Sequence, residues 1–360
     1  MSTLAVDAIV DSSNGNTATI NGATPTAYNT MGKNRIINGA MEIDQRNAGA
    51  SVAFTSAAYK LDRWVGAITS GSGHTIQKSS TAPQGQTSSA FITVSTGASP
   101  SAGSVNRLYQ VIEGYNIADL NWGTASAATV TLSFWVRSSV TGTFSGALYG
   151  ASTIQSYPFT YTISSANTFE QKTVTISGPT TGTWDSTNGA GIYVNFDLGS
   201  GTTFKTTAGS WATGTYIGVT GATNLCETSS ATFYITGVQL EVGSVATEFE
   251  RRPYGMELAL CQRYYEHIYF GGTAGARWTA RDYTGGISFA VTKRSTPTLT
   301  YSGTINLMND SSLQGGITLQ GWSTSVSGAG VRAIGSTVNN GASSIISPGS
   351  NPIIMVSSEL

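Results

Sequence analysis

Three stretches of this chain alternate apolar and polar residues with a period of two, and no other feature narrows the fold as far. In VTLSFWVRS, Val130, Leu132, Phe134 and Val136 fall on one side of an extended backbone and Thr131, Ser133, Trp135 and Arg137 on the other. GIYVNFDLG repeats the pattern, with Ile192, Val194, Phe196 and Leu198 inward and Tyr193, Asn195 and Asp197 outward. In ATFYITGVQLEV the inward set is Phe233 and Ile235 before Gly237, then Val238, Leu240 and Val242 after it, so Gly237 marks a bulge. Successive side chains of a strand point to opposite faces, so each stretch is a strand with one face in a core.

Such strands recur at turn-bounded intervals between residues 32 and 250, which predicts an all-β fold, a jelly-roll-like antiparallel sandwich. Among 360 residues, 43 glycines supply tight turns, while 7 Trp, 16 Tyr and 12 Phe supply a core, so the composition is not that of a disordered chain. No fixed repeat period is present, which argues against a solenoid. Residues 1–31 are polar, and Leu4, Val6 and Ile9 belong to a strand and a half at most, too little to stand alone. This segment reads as an extended N-terminal attachment arm. After about residue 269 the β pattern returns for the length of a smaller C-terminal β-domain, residues 269–360, in which Pro297 marks an edge strand or a bend.

Between the two β regions lies GVQLEVGSVATEFERRPYGMELALCQRYYE, residues 237–266. It carries Glu241, Glu248, Glu250, Arg251, Arg252, Glu257, Arg263 and Glu266 in a chain where only 10% of residues are charged. Pro253 suits a first helical turn, and the good helix formers after it predict a linking helix of about a dozen residues within 251–268. Its apolar positions, Leu260 and Tyr264 among them, are not confined to one stripe, so it should be covered on more than one side. The helix reads as a joint between β-domains or between subunits, with Arg251, Arg252, Leu260 and Tyr264 as candidate assembly residues.

Charge and motif content exclude several functions. With 18 basic and 19 acidic residues and no basic block, phosphate-driven binding to nucleic acid has no electrostatic basis. The start lacks the basic and apolar regions of a secretory signal, and no run of about 18 apolar residues offers a membrane span. Cys226 and Cys261 read as buried thiols, in keeping with synthesis in a reducing cytoplasm. Only His74, in a flexible-looking turn, and His267, at the end of the helix, are available as bases or ligands, so neither a catalytic triad nor a His/Cys metal site is expected, and no cofactor. A glycosidase needs only two carboxylates, for which Asp44, Asp62, Glu113, Asp185 and Asp197 are candidates. Sugar binding has more support. Trp135 beside Arg137, and Tyr193 beside Asn195 and Asp197, pair a flat ring with hydrogen-bonding groups, as a pyranose requires; Trp184 and Trp211 would extend such a surface. Packing under a loop or against a subunit is the alternative for each ring.

TLAVDAIVDSSNGNTATING near the start, NRIINGAMEIDQRNAGAS at 34–51 with KLDRWV at 60–65, and FYITGVQLEVGSVATEFERRPYGMELALCQRYYE at 233–266 together resemble tailed-phage fibre and other virion structural proteins, especially of phages infecting aquatic bacteria. The resemblance is local, covering roughly a third of the chain, but the order and spacing of the segments are similar too. It implies an attachment arm, a lectin-like sandwich and a homotrimer, with no fixed catalytic set; residues 267–360 take no part in it. The expectation is a non-enzymatic virion protein, made in the host cytoplasm. It would be a tail-fibre or tail-tip subunit that joins other phage tail or capsid proteins through residues 1–31 and binds a host-surface glycan. A capsid-surface fibre or decoration protein and a polysaccharide-degrading tailspike-type hydrolase are the alternatives.

Overall fold

A computed structural model describes residues 32–54, 57–269, 273–277, 282–309, 312–334 and 344–360. Leu4, Val6 and Ile9, with the rest of the expected arm, lie outside the described residues. The first strands are β1 (Val52–Phe54), β2 (Ala58–Leu61), β3 (Trp64–Ile68), β4 (Gly73–Ser79), β5 (Ser89–Thr96) and β6 (Asn106–Glu113). They are followed by β7 (Val130–Ser138), β8 (Gly142–Gly150), β9 (Gln155–Ile163), β10 (Glu170–Ile176) and β11 (Ala190–Asp197). Three short strands, β12 (Lys205–Thr206), β13 (Ala212–Thr213) and β14 (Gly218–Val219), precede the long β15 (Thr232–Val242). A six-stranded sheet in the order β1-β4-β5-β15-β7-β10 faces a seven-stranded sheet in the order β13-β9-β8-β11-β6-β3-β2. All pairings within both sheets are antiparallel, and the fold is an all-β, jelly-roll-like sandwich.

The alternating stretches build the core between the sheets. Val130, Leu132, Phe134 and Val136 of β7 meet Ile192, Val194 and Phe196 of β11 and Phe233 and Ile235 of β15, all fully buried. Phe134 packs edge-on against Phe196 at 5.0 Å and against Tyr161 at 5.0 Å, a favoured aromatic geometry.

The bulge at Gly237 has a structural consequence. Its φ of +60° is left-handed, and the pairing of β15 with β7 shifts register between Thr236 and Gln239. Before the bulge β15 pairs with β5; beyond it that edge is taken by residues 35–39, with Arg35 N donating to Leu240 O at 2.9 Å and Val238 N to Gly39 O at 3.0 Å. The backbones approach so closely that a Cβ on Gly39 would lie 2.2 Å from the Val238 carbonyl oxygen.

The helix, α1 (Tyr254–Gln262), is nine residues long. It is shorter than the expected dozen, because the chain turns at Arg263 and enters β16 (Tyr265–Tyr269) at once. Cys261 is buried against Ile37, Ile43 and Tyr264, with Leu258 and Leu260 at the margin, so the helix packs on the start of the sandwich within its own chain. Beyond it run β17 (Thr273–Arg277), β18 (Asp282–Ser288), β19 (Thr298–Asn309), β20 (Ser312–Thr324), β21 (Gly328–Ile334) and β22 (Ser344–Ser357). These form one seven-stranded sheet, β16-β22-β17-β18-β21-β20-β19, which closes on itself where β19 pairs with β22. Pro297 lies immediately before β19 and is buried.

Except for the exposed Glu248, the charges of the joint find partners inside the chain. Glu250 accepts from the backbone N–H groups of Gly32 at 2.5 Å and Asn34 at 2.7 Å. Arg252 donates to the carbonyls of Ile36 and Asn34 and pairs with Glu257 at 3.2 Å. Arg263 grips Glu113 of β6 through two bonds, at 2.7 and 3.1 Å, and the Tyr264 hydroxyl donates to the same carboxylate at 2.5 Å. Glu359 pairs with Arg46 and with the fully buried Arg63, whose guanidinium lies 3.6 Å over the Tyr264 ring. Of the candidate assembly residues, Arg252 and Tyr264 are thus bonded within the chain, and Leu260 is half-buried beside Cys261. Arg251 is the more exposed of the four, yet it too reaches Glu42 at 3.4 Å and the Gly85 carbonyl.

Candidate functional site

The residues that alternation placed outward do not converge. Trp135 and Arg137 are half-buried on the outer face of the six-stranded sheet. There Phe91 stacks on Tyr234 at 4.3 Å, and the Arg137 guanidinium covers Tyr234 at 5.0 Å and Phe169 at 5.8 Å. Phe91 and the Arg137 guanidinium thus both lie against the Tyr234 ring, which Phe169 meets edge-on. Tyr193, on the other sheet, sits between Tyr109 at 5.9 Å and Tyr149 at 5.3 Å. Its outward neighbours are buried, Asn195 at 0% exposure and Asp197 at 1%. Asn195 accepts from Arg107 at 2.8 Å, and Asp197 accepts from the N–H groups of Gly199 and Ser200 at 3.0 and 2.6 Å, which makes it the cap of a turn.

Trp184 and Trp211 do meet, together with Trp122, in a trio of edge-on contacts at 4.9 to 5.4 Å. All three indole N–H groups are bound by backbone carbonyls, of Thr181, Ser177 and Ala128 respectively, and the rings pack on the main core. Trp184 and Trp211 are thus held by packing and by backbone hydrogen bonds, each with part of its surface exposed. His74, expected in a flexible turn, lies in β4 at 2% exposure with the Phe54 ring stacked on it at 6.3 Å.

A different place offers open rings and free polar groups. A cleft of about 620 Å³ runs between the rim of the sandwich and the α1–β16 unit. Residues 42–49 and the end of β4 form one wall with Glu42, Asp44, Gln45 and Lys78; α1 contributes Tyr254, Leu258 and Gln262, and β16 contributes His267 and Tyr269. Tyr254 is 60% exposed and Tyr269 74%, high values for large rings, and two such rings on one concavity are not explained by packing. The hydroxyls of both and the side-chain amide of Gln262 have no hydrogen-bond partner among the described residues.

The charged groups of the cleft are partly committed. Asp44 uses one oxygen on the Asn47 N–H at 3.1 Å and the other on the Gly49 N–H at 2.7 Å. Glu42 accepts from Thr87 at 2.7 Å and from Arg251 through its Oε1, and Lys78 Nζ donates to the Glu42 carbonyl at 2.6 Å. His267 Nε2 is 2.6 Å from the Tyr265 hydroxyl, and burial first, then the Arg46 charge, lowers its pKa.

Of the other candidate carboxylates, Asp62 is buried and accepts from Gln45 Nε2 at 2.5 Å. Glu113 is held by Arg263, and Asp185 closes a local turn on Thr187 at 2.7 Å. Among the described residues no group of three or more His, Cys, Asp or Glu is placed to hold a metal ion, and no helix is long and apolar enough to cross a membrane.

Tyr254 and Tyr269 escape the sequence because no periodicity links them; their only common signal is that they bracket the charge-rich helix. No family model matches the chain, and no curated protein is similar to it in sequence. Among solved structures it is similar to the enzymatically active domain of tailspike protein 4 of bacteriophage CBA120, at 12% identity over 59% of this chain and 22% of that one, with a TM-score of 0.32. It is also similar to a proposed sugar-binding protein of Bacteroides thetaiotaomicron (12% identity, 58% of this chain, 100% of that one, TM-score 0.36). A third is the family 11 carbohydrate-binding module of Clostridium thermocellum (11% identity, 56% of this chain, 100% of that one, TM-score 0.28). The chain thus spans less than a quarter of the tailspike chain.

Proposed function

We propose that this is a non-enzymatic phage virion protein, a tail-fibre or tail-tip subunit that binds host-surface glycan in the cleft between the sandwich rim and the helix. The observation that carries the glycan reading is the pair of open rings, Tyr254 and Tyr269, on one concavity with unpartnered hydroxyl and amide groups. A pyranose offers an apolar face to an aromatic ring and a rim of hydroxyls to such groups. The virion role, the attachment arm, the homotrimer and synthesis in the host cytoplasm are supported by the resemblance of residues 3–22, 34–51 and 233–266 to phage fibre proteins. A capsid-surface location has the same support.

The hydrolase reading is raised by Glu42 and Asp44, which line one cleft. Against it, both oxygens of Asp44 are taken by the amides of its own turn. The test is binding to purified host-surface polysaccharide, with Tyr254→Ala and Tyr269→Ala beside the parent. Each variant is expected to bind about tenfold or more weakly with an unchanged melting temperature. Undiminished binding by both would refute the site, and release of oligosaccharide by the parent would refute the non-enzymatic reading.

A further inference from the structure

Strand β7 carries on its outer face a cation for which the chain supplies no acceptor. Arg137 makes no ion pair and no hydrogen bond among the described residues; its Nε is buried without a partner, while its two Nη groups are open to solvent. The side chain is nonetheless fixed, because the guanidinium lies 5.0 Å over the Tyr234 ring and 5.8 Å over Phe169. The carboxylates around it are committed elsewhere. Glu170, opposite the inward-facing Val136, pairs with Lys172 at 2.6 Å and accepts from the Ser164 and Ser165 N–H groups at 2.8 Å. Glu241, opposite Thr131 and about 20 Å away along β7, is buried and accepts from Gln239 and Thr247. Glu42 is paired with Arg251 at 3.4 Å. Trp135 precedes Arg137 by two residues on the same face, about 7 Å away. Its indole makes no aromatic contact and its N–H no hydrogen bond among the described residues, and part of its surface is exposed. A Cβ on Gly237 would lie 3.1 Å from Trp135 Cδ1, so the bulge glycine lets the ring lie close to β15. The polar side chains beside the pair, Gln171 of β10, Thr236 of β15 and Ser133 of β7, are neutral.

We propose that this face of β7 is a second saccharide site, separate from the cleft, which takes a polysaccharide containing uronic acid: a sugar ring lies on Trp135 and its carboxylate is held by the two Nη groups of Arg137. A carboxylate matches the planar fork of a guanidinium through two charge-assisted hydrogen bonds. The carboxyl group of a hexuronate projects from the rim of a ring whose face is apolar, so one residue reaches both the indole and the cation beside it. A neutral sugar gains the ring contact alone. An acidic peptide brings the carboxylate without the apolar ring face and its rim of hydroxyls, for which the indole, its free N–H and the neutral groups around it are suited.

The experiment is calorimetric titration of the full chain with three ligands of matched length: a galacturonate oligomer, its methyl ester, and a glutamate oligomer. The galacturonate oligomer is expected to bind tightest, by about tenfold over the ester at low salt, with the gap shrinking as salt is raised. Arg137→Gln should bring the acid level with the ester while leaving ester binding as it was, which also shows that the variant is folded. Arg137→Lys should keep only part of the preference, because an ammonium lacks the fork. Trp135→Ala should weaken both sugars, and Tyr254→Ala and Tyr269→Ala neither. Equal binding of acid and ester, an acid preference that survives Arg137→Gln, or undiminished binding by Trp135→Ala overturns the proposal, as does binding of neither sugar. Tighter binding of the glutamate oligomer assigns the face to an acidic peptide and overturns it too. Loss of galacturonate binding in Tyr254→Ala or Tyr269→Ala moves the ligand to the cleft, which refutes the second site and leaves the first standing.

Discussion

His74 and Asp62 show how burial at single residues couples to pH. The His74 side chain is enclosed and its Nε2 has no partner among the described residues; burial lowers its pKa from 6.5 to about 4. Between those values the unfolded chain holds the proton and the folded one does not, so this residue makes stability rise as pH rises from about 4 to 6.5. Asp62 has the opposite sign. Burial raises its pKa from 3.8 to about 6, the folded state keeps the proton in that window, and its contribution falls as pH rises through it. The two trends offset each other in the parent. Removing one exposes the other: His74→Leu is expected to gain stability over the parent as pH falls from 6.5 to 4.5, by about 1 kcal/mol or more for each unit, read from urea melts across that range. A flat difference would show that His74 titrates normally. At Gly39, where a Cβ would strike the Val238 carbonyl, substitution by Ala is expected to cost about 3 kcal/mol. An unchanged melting curve would contradict the closeness of that crossing.

At the scale of elements, α1 explains why a weakly charged chain gathers charge in one segment. The helix and the strand after it must hold against a sandwich whose facing groups include Glu113 and the N–H groups of Gly32, Asn34 and Asn38. Buried groups of that kind need specific partners, which the segment supplies. Removing Glu113 would leave the buried Tyr264 hydroxyl and the half-exposed Arg263 without their acceptor. Glu113→Ala is therefore expected to cost about 3 kcal/mol, and Leu260→Asp a similar amount, seen as a lower melting temperature. Because both residues act within the chain, the mass by light scattering should stay that of the parent. A change of mass at unchanged stability would restore Leu260 to a subunit interface.

For the whole molecule, the core of the described residues runs from Ile36 onward, and Gly32 N donates to the Glu250 carboxylate. On the virion role proposed above, deleting residues 1–31 is expected to leave the thermal transition in place while abolishing incorporation into the particle, checked by calorimetry and by protein analysis of purified virions. Loss of the transition would mean that the segment belongs to the core. The joint also sets the cleft, since Tyr254 and Tyr269 belong to the α1–β16 unit and Glu42 and Lys78 to the sandwich. A mutation that loosens the joint, such as Glu113→Ala, should weaken glycan binding as well as stability, whereas Tyr254→Ala should affect binding alone.

What was readable without the structure was what the backbone makes local. In a strand the side chains alternate by covalent geometry, so the inner faces of β7, β11 and β15 and the bulge at Gly237 follow from residues next to one another. A proline followed by good helix formers likewise places the start of α1. What lies over an outer face is not local. Asn195 is covered because Arg107 of another strand reaches it, Trp184 and Trp211 are spent on Trp122, and His74 is closed in by Phe54. The partners of the charged segment lie far away in sequence, as Arg263 and Glu113 or Arg63 and Glu359 do, and periodicity carries no information about pairs. The chain by itself determined an all-β sandwich and a helical joint, because those depend on spacing. Only the tertiary structure decided which aromatic rings remained open, because exposure depends on what the rest of the fold brings to cover them.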